Sequence, residues 1–520
     1  MHNFTPSTIK NTFSGVSGNK HPPAAETPGS KHSPSTTKAL SYKQVAKRAF
    51  ASLLFLILAV GMATSMLLMG SSQDVRQQAK TAPGTGNPDL TVCPEQSPGC
   101  DFVGFAGIRQ AIDSAPTTGL TTINIKNGYY KAMGQTCDNF SINIGDKAVY
   151  LKGEGDVGID FNKTEVPQGC RVDGFRVTEV GGLIISNMGI YNSTASCFSF
   201  GNDTRGRISN IVITNCSDNG VYVHDNSNVS ILDSSLYENG RQGLVLHGSS
   251  STTVARSSVY DNEQYGIALV DQSSLTIGQS SAYSNGLSGV RAGNQSSLTI
   301  TQSSVYENEL NGVFADGQAQ ITAINNTFFH NRVVGINIYS EGDHNPSVTL
   351  VNNIFTHTRK NTDGTYGFGI GGAYAGVPEN MANDDIHHNL VWANEGQNTG
   401  CGRHEICDFP NKVEADPLYV GMANFDFRLL PTSPAIGVAD PAFLARSGMT
   451  CNVLGAFCPT ATPAVTEQKI DAPVVAPQEV MQAPPSVIET QKDSMRQDAA
   501  FDQEMMSEDN NTVEIREARE

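Results

Sequence analysis

Between residues 210 and 340, apolar and polar positions alternate in short runs that recur every 23 residues. Asn239, Asn262, Asn285, Asn308 and Asn331 keep that spacing, and Gly243, Gly266, Gly289, Gly312 and Gly335 follow in the same register. After each Gly comes a short strand: Leu244 to Leu246, Ile267 to Leu269, Val290 to Ala292, Val313 to Ala315, Ile336 to Ile338. Its outer positions are small or aliphatic, while the middle one runs through Val245, Ala268, Arg291, Phe314 and Asn337. This period of two predicts one face in a core and the other in solvent. A second strand turns Val229, Thr252, Leu275, Leu298, Ile321 and Ile231, Val254, Ile277, Ile300, Ala323 inward, with Ser230, Thr253, Thr276, Thr299 and Thr322 on the wet face. A third turns Leu236, Val259, Ala282, Val305 and Phe328 inward. Three short strands per repeat and no helical period make each repeat one coil. Successive coils then pair in parallel at ~4.8 Å.

The Asn column is expected at the turn between the third and first strands, where an amide can bond backbone and the next amide along the stack. The Gly column is expected where the chain bends sharply without room for a β-carbon. These repeats resemble the right-handed parallel β-helix of the pectin-lyase-like superfamily over roughly Cys93 to Cys458. The resemblance implies an all-β solenoid. It implies also that such a chain binds, cleaves or epimerises acidic polysaccharide on an exposed sheet face, without saying which.

The rest of the chain divides by composition. Residues 1–48 are rich in Ser, Thr, Pro and Lys and read as a disordered head; 71–92 are a linker, 93–458 the β-helix with its caps, and 459–520 an acidic, Pro-containing disordered tail. Ala49 to Gly70 is a run of 22 uncharged residues, long enough to span a ~30 Å hydrocarbon core. Before it stand Lys10, Lys20, Lys31, Lys38, Lys43, Lys47 and Arg48 against the single acid Glu26. That bias keeps the N-terminus cytoplasmic and puts the β-helix outside the cell membrane as a single-pass signal-anchor protein. The alternative is secretion after cleavage near residue 70. A formal charge of −17 argues against nucleic acid as partner.

All ten cysteines follow residue 92, on the side expected to be exported. Proximity favours Cys93 with Cys100, Cys197 with Cys216, Cys401 with Cys407 and Cys451 with Cys458, leaving Cys137 with Cys170. The stretch from Cys401 through His404 to Cys407 carries the alternative of zinc. At the ends, Ile108, Ala111, Ile112 and Ala115 form the apolar stripe of a capping helix over 105–115. Phe425, Phe427 and Leu429 have strand spacing and are expected to lie over the last coil.

Three constellations are candidates for chemistry. Asn361-Thr362-Asp363, then Asp384-Asp385, then His404 resemble the catalytic set of polygalacturonase-type hydrolases, in which paired carboxylates act as acid and base. The resemblance makes Asp363, Asp384 and Asp385 the catalytic candidates, brought together if the insertion around Gly367 to Pro378 loops out. The Gly-His-Gly context and the Arg-x-Lys clamp of that set are absent. Glu238, Asp261, Glu263, Glu307 and Glu309 flank the Asn column, close enough from coil to coil to share Ca²⁺, with no other cofactor expected. Tyr237, Tyr260, Tyr283 and Tyr306, followed by Phe329, point outward as a binding candidate for a sugar. Rings at coil spacing cover one another's faces, so the column also reads as a stabilising ladder. Two functions stay open: a surface or envelope protein that binds polysaccharide without catalysis, and a polysaccharide hydrolase or lyase.

Overall fold

The computed structural model describes residues 89–178, 181–341, 345–360, 367–375, 384–400 and 409–459. The apolar run from Ala49 to Gly70 lies outside them, and no helix among the described residues is long and apolar enough to cross a membrane.

The repeats wind into a parallel β-helix. The strand after each Gly joins an eleven-stranded parallel sheet that runs from Ile142–Asn143 to Gln397–Gly400. The second and third strands merge into a twenty-stranded sheet. Register advances by one repeat per step: Leu244 pairs with Ile267 and Ile267 with Val290, while Leu236 pairs with Val259 and Val259 with Ala282. The inward columns form one continuous core, with aromatic rings stacked in it toward both ends. Phe175 stacks on Phe198 at 5.0 Å near the start, and Phe328 on Phe355 at 4.8 Å near the finish. The supposed wet face of the first strand is drier than its pattern implies. Val245 and Ala268 are buried, because Tyr222 and Arg291 occupy the adjoining places in their column.

The Asn column forms the expected ladder. Asn239, Asn262, Asn285 and Asn308 each donate through Nδ2 to the next Oδ1 at 2.8–3.0 Å, and all are buried. The same oxygens accept the preceding backbone N–H, as from Asn262 to Asn285 at 3.3 Å. The Gly column has a different cause from the sharp bend expected. A β-carbon on Gly266 would lie 2.6 Å from the Gly289 carbonyl and 2.7 Å from the Asn285 amide nitrogen. Glycine is needed because coils approach closely there. At the opposite turn, Ser234, Ser257 and Ser280 pass backbone N–H to the next hydroxyl, and Asn326, Asn353 and Asn389 continue that stack as amides.

Helix α1, Gly104–Ser114, caps the N-terminal end with Ile108, Ala111 and Ile112 fully buried. Two expectations are corrected. The stretch from Phe368 to Ala375 does not loop out: it is a strand paired with Val334–Glu341, held by backbone pairing along its length. Nor does the strand carrying Phe427 and Leu429, with Phe425 before it, lie over the last coil. The hairpin of Tyr419–Gly421 and Asp426–Leu429, with helix α2 at Pro441–Ser447, lies along the outer flank of the coils. Phe425 stacks on Tyr306 at 4.9 Å, Asn325 Nδ2 donates to the Val453 carbonyl at 2.8 Å, and Asp440 N donates to Asn352 Oδ1 at 2.7 Å. Its apolar side chains, Leu429, Ala435, Val453 and Leu454, bury Ile354 and Leu390 in a second small core.

Among the described residues four disulfides form: Cys93–Cys100, Cys137–Cys170, Cys197–Cys216 and Cys451–Cys458. Cys401 and Cys407 lie outside the described residues, as does His404.

Candidate functional site

Outward positions of the third strand make one long column along the solenoid. Pairing places Asp160, Tyr191, Thr214, Tyr237, Tyr260, Tyr283, Tyr306, Phe329, Thr356 and Trp392 in succession. From Tyr237 to Tyr306 the rings stack at 4.7–4.8 Å with interplanar angles of 4–9°. Their faces are spent on each other. Mutual burial pushes the Tyr260 hydroxyl up to about 12, first by desolvation and then by the flanking Tyr283 and Tyr237. The C-terminal hairpin closes the far end of the ladder with Phe425 and Phe427 against Tyr306.

The near end is open. Thr214 is too small to continue the stack, so the outer face of Tyr237 is not covered by a ring from that position. Beyond it, Tyr191 does not stand up from the sheet. Its ring folds over Gly189, with the hydroxyl in the space a β-carbon there would fill. Tyr129 lies likewise over Gly158, where a β-carbon would sit 2.7 Å from the Tyr129 ring and 3.3 Å from that of Tyr191. Two outward glycines thus let two tyrosines lie flat, and Tyr129 is 57% exposed. Tyr130, one residue on, turns inward and is buried, its hydroxyl donating to the Val92 carbonyl at 3.0 Å.

This platform floors a groove of about 740 Å³ bounded by Asn127, Asp156, Asn192, Asn215, Tyr237 and Glu238. The side chains at its edge are wired together. Tyr129 Oη donates to Asp160 Oδ2 at 2.5 Å, and Asn192 Nδ2 donates to Asp160 Oδ1 at 2.8 Å. Asn215 Nδ2 donates to Asn192 Oδ1, and Lys163 Nζ donates to Asn215 Oδ1 at 2.6 Å. Partial burial and the Asp160 carboxylate hold the Tyr129 hydroxyl well above its ordinary range, so it stays a neutral donor. Asn192 and Asn215 take left-handed backbone, with φ of 63° and 60°, which aims both amides along the edge.

The sequence candidates fall elsewhere. Asp363 lies outside the described residues. Asp384 is half-buried and accepts the Val348 backbone N–H at 3.0 Å; burial pushes its carboxyl up to about 6. Asp385 begins the strand Asp385–His387, is exposed, and faces His387 Nε2 at 3.2 Å. Of the acidic edge, Glu307 pairs with His330 at 3.2 Å and Glu309 with Arg332 at 2.5 Å. Asp261 is raised by burial and then by Glu238 one coil away. Among the described residues, these acids do not bring three ligand atoms within 4.8 Å of one another. Tyr129 and Tyr191 were not among the sequence candidates. The signal for them was an outward Gly inside a strand, at Gly158 and Gly189, which marks a close approach from above.

The family model for the right handed beta helix region matches residues 122–282 and 242–404. Among solved structures, pectate lyase Pel9A aligns with a TM-score of 0.51 at 16% identity, covering 72% of this chain and 98% of its own. The periplasmic alginate epimerase AlgG aligns with a TM-score of 0.41 at 12% identity, covering 61% and 84%. The A-module of the Azotobacter vinelandii mannuronan C-5 epimerase AlgE4 aligns with a TM-score of 0.35 at 16% identity, covering 55% and 100%. No curated protein matches the chain. The shared feature is the fold, a right-handed parallel β-helix.

Proposed function

This chain belongs to the right-handed beta helix family, and from that premise we propose that it is an exported, membrane-anchored surface or envelope protein that binds polysaccharide without cleaving it. A pectate lyase shares the fold, which makes polysaccharide the ligand class to test first. The observation that carries the reading is the flat pair of Tyr129 and Tyr191 in an open groove whose edge amides are already held by hydrogen bonds. Flat aromatic faces take the apolar side of a sugar ring, and a prefixed edge of Asn amides and a Tyr hydroxyl takes its hydroxyls.

The same groove is poorly suited to chain cleavage. Its two free carboxylates, Asp156 and Glu238, are three coils apart, ~14 Å along the axis at coil spacing. Glycoside hydrolysis by a carboxyl pair needs at most ~9.5 Å. None of the residues lining the groove is Lys, Arg or His, the cations that would draw in a polyanion. With two acids lining it and its edge cation, Lys163, already bonded to Asn215, the groove favours a neutral or N-acetylated glycan over a uronate polymer.

The test uses the full-length chain in detergent. It is passed over immobilised neutral, N-acetylated and uronate polysaccharides, and each polymer is also followed for reducing ends and 235 nm absorbance. Retention on a neutral glycan without turnover is the expected result. Turnover of any polymer supports the hydrolase or lyase alternative, and no retention on any of them ends the binding reading.

A further inference from the structure

Outside the groove, three ligand-type side chains from distant parts of the chain meet at one point. His387 ends the strand Asp385–His387, and His388 follows with left-handed backbone at φ 52°. Asp440 is the N-cap of helix α2 in the C-terminal segment. The His387 and His388 Nδ1 atoms are 2.6 Å apart, and Asp440 Oδ2 lies 3.7 Å from one and 3.9 Å from the other. Each side chain offers one ligand atom to this cluster, and all lie within 4.8 Å of one another. Ligands on a tetrahedral ion with bonds of about 2.0–2.1 Å are separated by ~3.3 Å, which these spacings bracket.

The carboxylate behind His387 favours one tautomer of its ring. His387 Nε2 faces the Asp385 carboxylate at 3.2 Å, which fixes its N–H there and leaves the lone pair on Nδ1. Asn411 Nδ2 lies 3.4 Å from His388 Nδ1 at the rim of the cluster, a long contact that a bound cation would displace. Two ring nitrogens 2.6 Å apart beside a carboxylate oxygen offer three ligand atoms on one side of a single point, where a cation can take the place of a proton shared by the rings. Asp440 is free for that role, because its Oδ1 alone takes the Ala442 N–H of the cap at 2.8 Å. The side chains are 16–21% exposed, and the Phe443 ring edge packs on His387 at 5.3 Å, so the point is largely shielded yet reachable.

We propose that His387, His388 and Asp440 form a site for one divalent transition metal of the zinc type, which clamps the C-terminal segment to the flank of the coils. Two imidazoles and one carboxylate suit a borderline ion, and leave a fourth position for water. The Asp385 carboxylate behind His387 orients the ring and strengthens its Nδ1 as a ligand. The site stands apart from the glycan groove, and its test does not depend on glycan binding.

Tag-free full-length protein is stripped with a chelator and titrated with Zn²⁺ and with Co²⁺ at neutral pH. One ion per chain is expected, with the intense visible bands of tetrahedral Co²⁺. Asp440→Asn keeps an oxygen for the cap and should weaken Zn²⁺ binding at least tenfold; Asp385→Asn should weaken it by about ten- to a hundredfold. Zn²⁺ should also slow proteolysis between residues 440 and 459 in the wild type and not in Asp440→Asn. Equal urea midpoints of both chains in chelator show that the variant folds, and His388→Gln makes the same comparison if Asp440→Asn does not. Equal Zn²⁺ binding by the wild type and both variants, or no binding by the wild type, overturns the proposal and leaves a proton shared between the two rings.

Discussion

The ring of Tyr191 lies over Gly189, with its hydroxyl in the space that a β-carbon at residue 189 would fill. The backbone of Gly189 pairs with Gly158 on one side and Val212 on the other, so the strand itself tolerates a side chain pointing outward. A methyl group there has to lift the ring off the sheet. Gly189→Ala is therefore expected to keep the fold and to weaken glycan retention about tenfold, or ~1.4 kcal/mol, as Tyr191→Ala should. Tyr283→Ala, inside the ladder, should leave retention unchanged. The comparison needs affinity electrophoresis of the three variants alongside circular dichroism. Equal retention by all of them would remove the platform from the binding site.

The amide of Asn285 is used on every side. Its Nδ2 donates to Asn308 Oδ1 at 3.0 Å and to the Val259 carbonyl at 3.2 Å, and its Oδ1 accepts both Asn262 N and Asn262 Nδ2. Asn285→Ala strands these buried groups, and is expected to cost about 3 kcal/mol, at ~1–3 kcal/mol for each group left without a partner. Gln279→Ala removes an exposed rung-to-rung bond to Gln302 at 3.2 Å and should cost under ~0.5 kcal/mol. Urea midpoints of the two variants decide it. Similar small losses would mean that water enters and satisfies the ladder.

The regular coils were legible because each position repeats its environment every 23 residues, so a column such as Leu244, Ile267, Val290 declares its own burial. The Asn ladder was legible for the same reason. The flat tyrosines were not, because the first coils break the period. Register shifts between Lys126 and Gly128, and again between Lys152 and Gly158, move their residues out of phase with the later repeats. The docking of the C-terminal segment was hidden by distance: Asn325 bonds Val453, 128 residues away, and no period links the two. Nothing in the sequence around His387 and His388 marks them, because Asp440, which meets them in space, lies in that same distant segment.

Cys197 and Cys216 join neighbouring coils, and both are buried. With the two cysteines 19 positions apart, the bridge removes about 3 kcal/mol of freedom from the unfolded chain. A Cys197→Ala, Cys216→Ala double variant should unfold at a lower urea midpoint by that amount. Because the bridge acts mainly through the unfolded state, the folded circular dichroism spectrum should match the wild type. A midpoint unchanged under non-reducing conditions would show that the bridge carries no stability.

The basic head and the apolar run from Ala49 to Gly70 place the β-helix outside the cell in the proposed topology. Protease added to intact cells should then digest the body while sparing residues 1–48, detected with an antibody to the head. A soluble mature form beginning near residue 71 would show instead that the segment is cleaved.

Asp384 supplies a prediction with a definite sign. Burial lifts its carboxyl to about 6, against the Val348 N–H that works to lower it, whereas an unfolded chain holds an Asp near the ordinary ~3.9. Between those values the folded chain binds more protons than the unfolded one, so this group's contribution to stability falls as pH rises through the window. Above about pH 6 the folded protein carries a charge in a site that disfavours it. Asp384→Asn removes the charge and keeps an oxygen for Val348. The variant should therefore match the wild type at pH 4 and exceed it increasingly between pH 5 and pH 7, read as urea midpoints across that range. A variant less stable than the wild type at pH 7 would show that the ionised carboxylate is held by a partner, as a bound cation would do. The same protein separates the two functions. A carboxyl raised toward neutrality is what a general acid needs, so a hydrolase would lose its turnover in Asp384→Asn. The binding function, seated on Tyr129 and Tyr191 at the other end of the solenoid, should keep its glycan retention in full.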